Sequence, residues 1–189
     1  MKKLIYPVIF VLLLIGSHNY QELNNIAIIT NIAIEKDKDN YKVIFQEITP
    51  KYENNNVTKD YKYYINTNSN LKSAFNGIDG DITKEIYLEH LENIIIKDNN
   101  TNIIYKLENI LNSDLDNFNI ILSETDTEKI LKYSNNYKYI NSIIHDNTTL
   151  RSIKKSKLEN KSIKVPVVKI IDDKLVFYKY KKIGANKNG

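Results

Sequence analysis

The sequence predicts an α+β fold, a mixed β-sheet with helices packed against it in a single domain. Three observations carry this. Ile26, Ile28, Thr30, Ile32 and Ile34 recur at period two, the spacing of a strand. Ile103, Ile104, Leu107, Ile110 and Leu111 fall at i, i+1, i+4, i+7 and i+8, the spacing of an amphipathic helix. The 189 residues suit one domain and bury roughly 70% of the unfolded surface, so neither a disulfide nor a metal is needed to hold a core.

Element by element, residues 26–34 read as a first strand, and the polar run Lys36–Asn40 as a turn. Tyr41–Ile48, rich in β-branched and aromatic residues, is the returning strand, and Pro50 is expected to end it. Tyr61–Ile65 is a third strand. Ser69 is placed to cap a short helix with Leu71, Ala74 and Phe75 on one face, stopped at Gly77. Glu85–Ile96 reads as one strand ending in Ile94-Ile95-Ile96, a run suited to burial on both faces. Asp98–Thr101 caps the helix of residues 103–111, and Phe118–Leu122 is a short strand. Thr125-Asp126-Thr127-Glu128 has the form of a capping box and opens a helix to about Tyr133. Tyr137, Ile140, Ile143 and Ile144 predict a further helix, and residues 145–162 a helix plus linker. Val165–Ile171 and Leu175–Tyr180 are two final strands around the turn Asp172-Asp173. No internal repeat is evident.

Composition narrows the function classes. The composition is skewed toward Ile, Asn, Lys and Tyr, Arg151 is the only arginine, and there are no cysteines. Disulfides, thiolate catalysis and zinc–sulfur sites are thereby excluded. Residues 1–150 hold 15 lysines against 20 acids, while residues 151–189 hold 12 basic residues against 3 acids. Such asymmetry points either to a surface that meets something anionic, the membrane surface being one candidate, or to a solvated tail. Nucleic acid is disfavoured, because the basic residues are lysines and the N-terminus is that of an exported chain.

At that N-terminus, Lys2 and Lys3 precede an apolar run from Leu4 to Ile15, interrupted by Pro7. A basic start and a short apolar core make a secretory leader, and the run falls short of the roughly 20 residues of a membrane span. The expected organisation is a leader over residues 1–16, a domain over 17–183 and a basic tail over 184–189. Leu14-Ile15-Gly16 followed by cysteine would be a lipoprotein processing site, but Ser17 stands there. A serine hydroxyl stays protonated at neutral pH and is a far weaker nucleophile than a thiolate, so no lipid is expected on Ser17.

Several motifs then point the same way. The segment GSHNYQELNNIAIITNIAIEK, and in it Glu22-Leu23-Asn24 followed by Ile26-Ala27-Ile28, resembles the start of the mature Ger(x)C proteins, the C subunits of spore germinant receptors. Leu71–Phe75 followed by Lys84–Ile96, with His90 and Leu91, resembles that family's short helix and Tyr-Leu-x-His-Leu strand. Residues 103–111, 118–122 and Val165-Pro166-Val167 follow in the family's order. Ser17, His18 and Gln21 depart from its cysteine, tryptophan and arginine. The resemblance implies the family's N-terminal domain alone, without catalytic chemistry, working by protein contacts in spore germination. It implies residence on the outer face of the spore inner membrane, beside the integral membrane A and B subunits and the membrane surface.

Chemical sites are few. His18, His90 and His145 have no metal-like spacing, and His90 is expected on a strand beside Glu89 and Glu92. Asp79-Gly80-Asp81 lacks the distal ligands of a calcium loop and reads as a turn. There is no glycine-rich phosphate loop and no local signature of a nucleophile, acid and base. The expectation is therefore no catalytic residue, no cofactor and no metal, with Glu22, Leu23 and Asn24 as candidate partner contacts. An exported solute-binding or accessory protein is the alternative reading.

Overall fold

The computed structural model describes residues 25–53, 56–80, 82–111, 115–133, 144 and 148–184. The leader, Ser17, Glu22–Asn24, the predicted helix at Tyr137–Ile143 and residues 185–189 lie outside the described residues. The strands are β1 (Ile26–Asp37), β2 (Asn40–Glu53), β3 (Asn56–Asn68), β4 (Glu85–Tyr87), β5 (Asn93–Lys97), β6 (Asn119–Ser123), β7 (Ser162–Ile171) and β8 (Lys174–Gly184). The helices are α1 (Leu71–Asn76), α2 (Asn102–Leu107), α3 (Thr127–Tyr133) and α4 (Leu150–Leu158). The strands make one mixed sheet in the order β3-β2-β1-β5-β6-β7-β8, with β4 pairing β1 off this path. The α+β class read from the sequence is the class observed.

The middle of the sheet, β1-β5-β6-β7, is parallel. An antiparallel hairpin flanks it on each side, β1-β2-β3 on one and β7-β8 on the other. Parallel strands need both faces covered, and their side chains divide accordingly. Ile32, Ile34, Val43, Phe45, Ile94, Ile96, Ile120, Leu122, Val165 and Val167 join one buried cluster with residues of α1, α2 and α4. The alternate residues Ala33, Ile44, Ile95, Ile121 and Val168 join a second cluster with Ile130 and Leu131 of α3. The run Ile94-Ile95-Ile96 thus feeds both faces, as its unbroken apolarity requires.

Two β-bulges switch which face a strand presents. In β1, Ile29 pairs with Glu47 and Asn31 with Gln46, leaving Thr30 as an extra residue. Ala27 and Ile29 below the bulge and Ile32 and Ile34 above it therefore all reach the first cluster despite the change of parity. In β8, Val167 pairs with Lys179 and Val168 with Phe177, leaving Tyr178 extra. Leu175 then serves the second cluster and Ile183 the first. The hairpin turns need positive φ, which Lys38 (51°), Asp172 (47°) and Asp173 (54°) adopt. Positive φ at both central residues suits Asp172-Asp173 to a two-residue hairpin.

Several boundaries differ from expectation for physical reasons. β2 runs through Pro50, which pairs with Lys59 of β3. The pairing of β2 with β1 has ended at Glu47, so beyond that point β2 is an edge and a missing N–H is tolerated. The single strand expected over Glu85–Ile96 is two, β4 along Ile26–Ile28 and β5 along Asn31–Ile34, with an excursion at Leu88–Glu92 between them. His90 sits on that excursion rather than on a strand. Asn70, not Ser69, caps α1, its Oδ1 accepting from the Ser73 N–H at 3.2 Å. Asp126 Oδ1 accepts from the Lys129 N–H at 3.0 Å at the start of α3, while the Thr125 Oγ1 accepts from the Ile170 N–H and ties that loop to β7. The helix predicted over 103–111 closes at Leu107, and turns carry the chain on to the buried Leu111.

Candidate functional site

Among the described residues no group of His, Cys, Asp and Glu could hold a metal ion, and no helix is long and apolar enough to cross a membrane. The polar chemistry of the described chain lies in three places.

The first is a line of side-chain amides across the sheet. Asn119 of β6 donates to Asn93 Oδ1 of β5 at 3.1 Å, and Asn93 donates to Asn31 Oδ1 of β1 at 3.0 Å. Asn31 donates to Gln46 Oε1 of β2, and Gln46 donates to the Tyr63 hydroxyl of β3 at 3.2 Å and to the Leu131 carbonyl at 3.3 Å. Each step from strand to strand joins residues that are direct partners in the register. Asn31, Gln46 and Asn93 are buried, where an amide is costly unless bonded. The line therefore fixes the register of five strands, since a slip of one residue would break several bonds together.

The second is a buried carboxylate. Glu47 on β2, 1% exposed, accepts from Lys84 Nζ at 2.7 Å and from the Tyr64 hydroxyl at 2.6 Å. Burial first, then the hydrogen bond to Glu47 and its charge, pushes the Tyr64 phenol up to about 12. The phenol stays a donor at any physiological pH, and the site is a structural ion pair. On the other face, Lys132 and Lys42 bond to Glu128 at 2.6 Å each and hold its carboxyl down at about 2.

The third is the end of the sheet at β8. Lys181 Nζ pairs with Asp98 Oδ1 at 3.0 Å and Lys157 with Glu108 at 3.4 Å. A cleft of about 520 Å³ opens between them, lined by Asn102, Tyr105, Lys157, Asn160, Lys181 and Lys182. A second cleft, of about 570 Å³, lies beside the excursion, lined by Ile86, Leu88, Leu91, Leu115 and Phe118.

The residues singled out from the sequence scatter. Glu22, Leu23, Asn24, Ser17, His18 and His145 lie outside the described residues. Ile26, two residues after Asn24, pairs with Glu85 of β4. His90 is exposed, its ring 5.7 Å from that of Tyr87. Asp172-Asp173 is the hairpin turn expected. The amide line has a faint sequence signal: Asn31-Ile32-Ala33-Ile34, Asn93-Ile94-Ile95-Ile96 and Asn119-Ile120-Ile121-Leu122 each open on Asn before an apolar run. The Glu47–Lys84 pair, 37 residues apart in sequence, carries no local signature.

Residues 19–164 match the family model described as spore germination protein N-terminal domain. The matched span covers more than half of the chain and ends at Lys164, so most of β7 and all of β8 lie beyond it. No curated protein matches the chain, and no solved structure does.

Proposed function

The chain belongs to the spore germination protein N-terminal domain family, and from that premise we propose that it is a non-enzymatic, subunit-like component of a spore germinant receptor. In this reading it is exported, associates with the outer face of the spore inner membrane, and acts by contacts with the integral membrane A and B subunits. Glu22, Leu23 and Asn24, between the leader and β1, are the proposed partner contacts.

The family match over residues 19–164 carries the reading. Two features of the structure agree with it. The polar groups at the best-formed interior sites are satisfied by one another, which suits a scaffold. The β2–β3 hairpin runs on past the end of its pairing with β1, and Val57 on β3 is 66% exposed, so this ribbon offers a neighbour an open strand edge.

Fractionation of spores, with affinity isolation of the full chain from solubilised membranes and intact-mass analysis, tests the reading. The expected result is recovery in the membrane fraction together with two integral membrane subunits, and a mass without a diacylglyceryl group on Ser17. Recovery from the soluble fraction with no membrane subunit attached would overturn the receptor role. Substituting Glu22 and Asn24 by Ala is expected to weaken co-isolation without changing the amount of folded chain.

A further inference from the structure

β3 is the last strand on its side of the sheet and, among the described residues, pairs with β2 alone. Its outer edge runs 13 residues, Asn56–Asn68, with no proline, no glycine and no register shift against β2. Edge strands are commonly kept from pairing with other chains by being short, bulged or broken by proline, and none of those devices is present here. Charge is present: Lys59, Asp60 and Lys62 are exposed. The Asp60 carboxylate accepts from the Tyr61 N–H at 2.8 Å, and neither Asp60 nor Lys62 has an ion pair among the described residues. Val57 and Ile65, 66% and 42% exposed, are the large apolar residues that β3 leaves open to solvent.

These positions discriminate between the ways in which two copies of the edge can meet. A closed dimer has a two-fold axis. Antiparallel edges related by that axis place one residue opposite its own copy and keep like faces of the two sheets on the same side. Centred on Lys59 or Lys62, the pairing sets lysine against lysine; centred on Asp60, it sets carboxylate against carboxylate. Like charges directly opposite destabilise a strand pair. Centred on Tyr61, Asp60 of each copy lies opposite Lys62 of the other, and Val57 of each lies opposite Ile65 of the other. Two opposite-charge pairs then form on one face of the joined sheet and two apolar pairs on the other. A centre moved further out, to Thr58 or Tyr63, leaves the three charges without a charged residue across the seam and Val57 and Ile65 apart. The charge pattern and the apolar pattern are independent, and both select Tyr61.

We propose that the β3 edge joins two copies of this chain in an antiparallel pairing centred on Tyr61, so that the sheet of one copy continues into the sheet of the other. Main-chain hydrogen bonds along the seam supply the attraction, and the side chains set the register. The proposal goes beyond the receptor reading and does not rest on it, since the partner is the same chain.

The chain has no cysteine, so introduced thiols report the register without background. Direct partners in antiparallel strands have Cα atoms about 4.5–5.5 Å apart, within disulfide reach. Full chains carrying Asp60→Cys or Lys62→Cys, dispersed in mild detergent, are oxidised separately and as an equimolar mixture, and covalent dimer is read on a non-reducing gel. The mixture is expected to give several-fold more dimer than either variant alone, because position 60 or 62 and its own copy are offset by two residues, about 7 Å along the strand. Sedimentation of the unsubstituted chain is expected to show a concentration-dependent dimer. Lys62→Glu, which sets two like-charge pairs across the seam, is expected to weaken that dimer on the order of tenfold, and Asp60→Lys/Lys62→Asp, which exchanges the charges, to restore it. Lys174→Glu makes the same change of charge on an exposed residue of β8 and is expected to leave the dimer unchanged. Circular dichroism of each variant checks the fold. A monomer at every concentration, equal cross-linking in the three samples, an equal loss in Lys62→Glu and Lys174→Glu, or no recovery on charge exchange would each overturn the proposal. The purified chain is measured without receptor subunits, so failure here leaves the co-isolation result standing, and the reverse holds too.

Discussion

The residue on which the most depends is Glu47. A carboxylate at 1% exposure is tolerable only because Lys84 and Tyr64 both reach it. Removing one partner of such a pair is far more damaging than never having had it, since the remaining charge is stranded in low dielectric. Lys84→Ala is expected to cost about 3 kcal/mol in a denaturant melt, and Lys84→Ala/Glu47→Leu to recover much of that loss. A single variant as stable as the parent would mean that water reaches Glu47 and that the pair is a surface interaction. Nothing local announced this site, because its ingredients are distributed over β2, β3 and the loop before β4. A glutamate beside Gln46 in a strand reads as solvent-facing until the fold brings Lys84 over it. The caps were more legible: Asn70 and Asp126 each neighbour the residue the sequence pointed to, and the discrepancy is one of position along a capping stretch, not of chemistry.

At the scale of the element, apolar periodicity located the strands, and bulges and excursions limited the reading. Period two in Ile26–Ile34 survives on both sides of Thr30, yet the extra residue shifts the parity, so the sequence could not tell which face Asn31 takes. That face decides its role. Asn31 enters the buried line of amides between Asn93 and Gln46, and the line turns pairing of the parallel strands into a specific register. Position along it sets the expected cost. Asn93→Ala takes the donor from Asn31 Oδ1 and the acceptor from Asn119, at a buried site, and is expected to destabilise by about 2 kcal/mol. Asn119→Ala removes the half-exposed end, where water can substitute, and is expected to cost about 1 kcal/mol or less. Equilibrium unfolding of the two variants checks the order. If Asn119→Ala were the worse of the two, the amides would be acting separately and not as a connected line. The broken strand at Leu88–Glu92 shows the same limit. Its apolar residues fit a strand, but Leu91 N–H bonds back to the Leu88 carbonyl at 2.9 Å, a turn closed by a contact that residue pattern alone does not encode.

At the scale of the molecule, the two halves of the sheet depend on each other across β6. The matched family span ends at Lys164, but the folding unit does not. Beyond it, Val165, Val167 and Ile183 belong to the first buried cluster, and Val168 and Leu175 to the second. β6 itself is paired on one side by β5 and on the other by β7 through Leu122–Val167 and Ser123–Val168. The alternation of strands and helices and the closing hairpin at Asp172-Asp173 could be foreseen, since each has its own local pattern. The dependence of both cores on the last strands could not, because burial on two faces is a property of the assembled sheet. A chain stopped at Lys164 is therefore expected not to fold cooperatively. It would bare both cores along β6 and forgo five buried aliphatic side chains at roughly 2 kcal/mol each, on the order of the whole stability of a domain. The measurement is thermal and urea unfolding of chains ending at Lys164 and at Gly184. A sharp transition in the longer chain and a gradual, non-cooperative loss of signal in the shorter one are expected. A cooperative transition in the chain ending at Lys164 would show that β7 and β8 are an appendage.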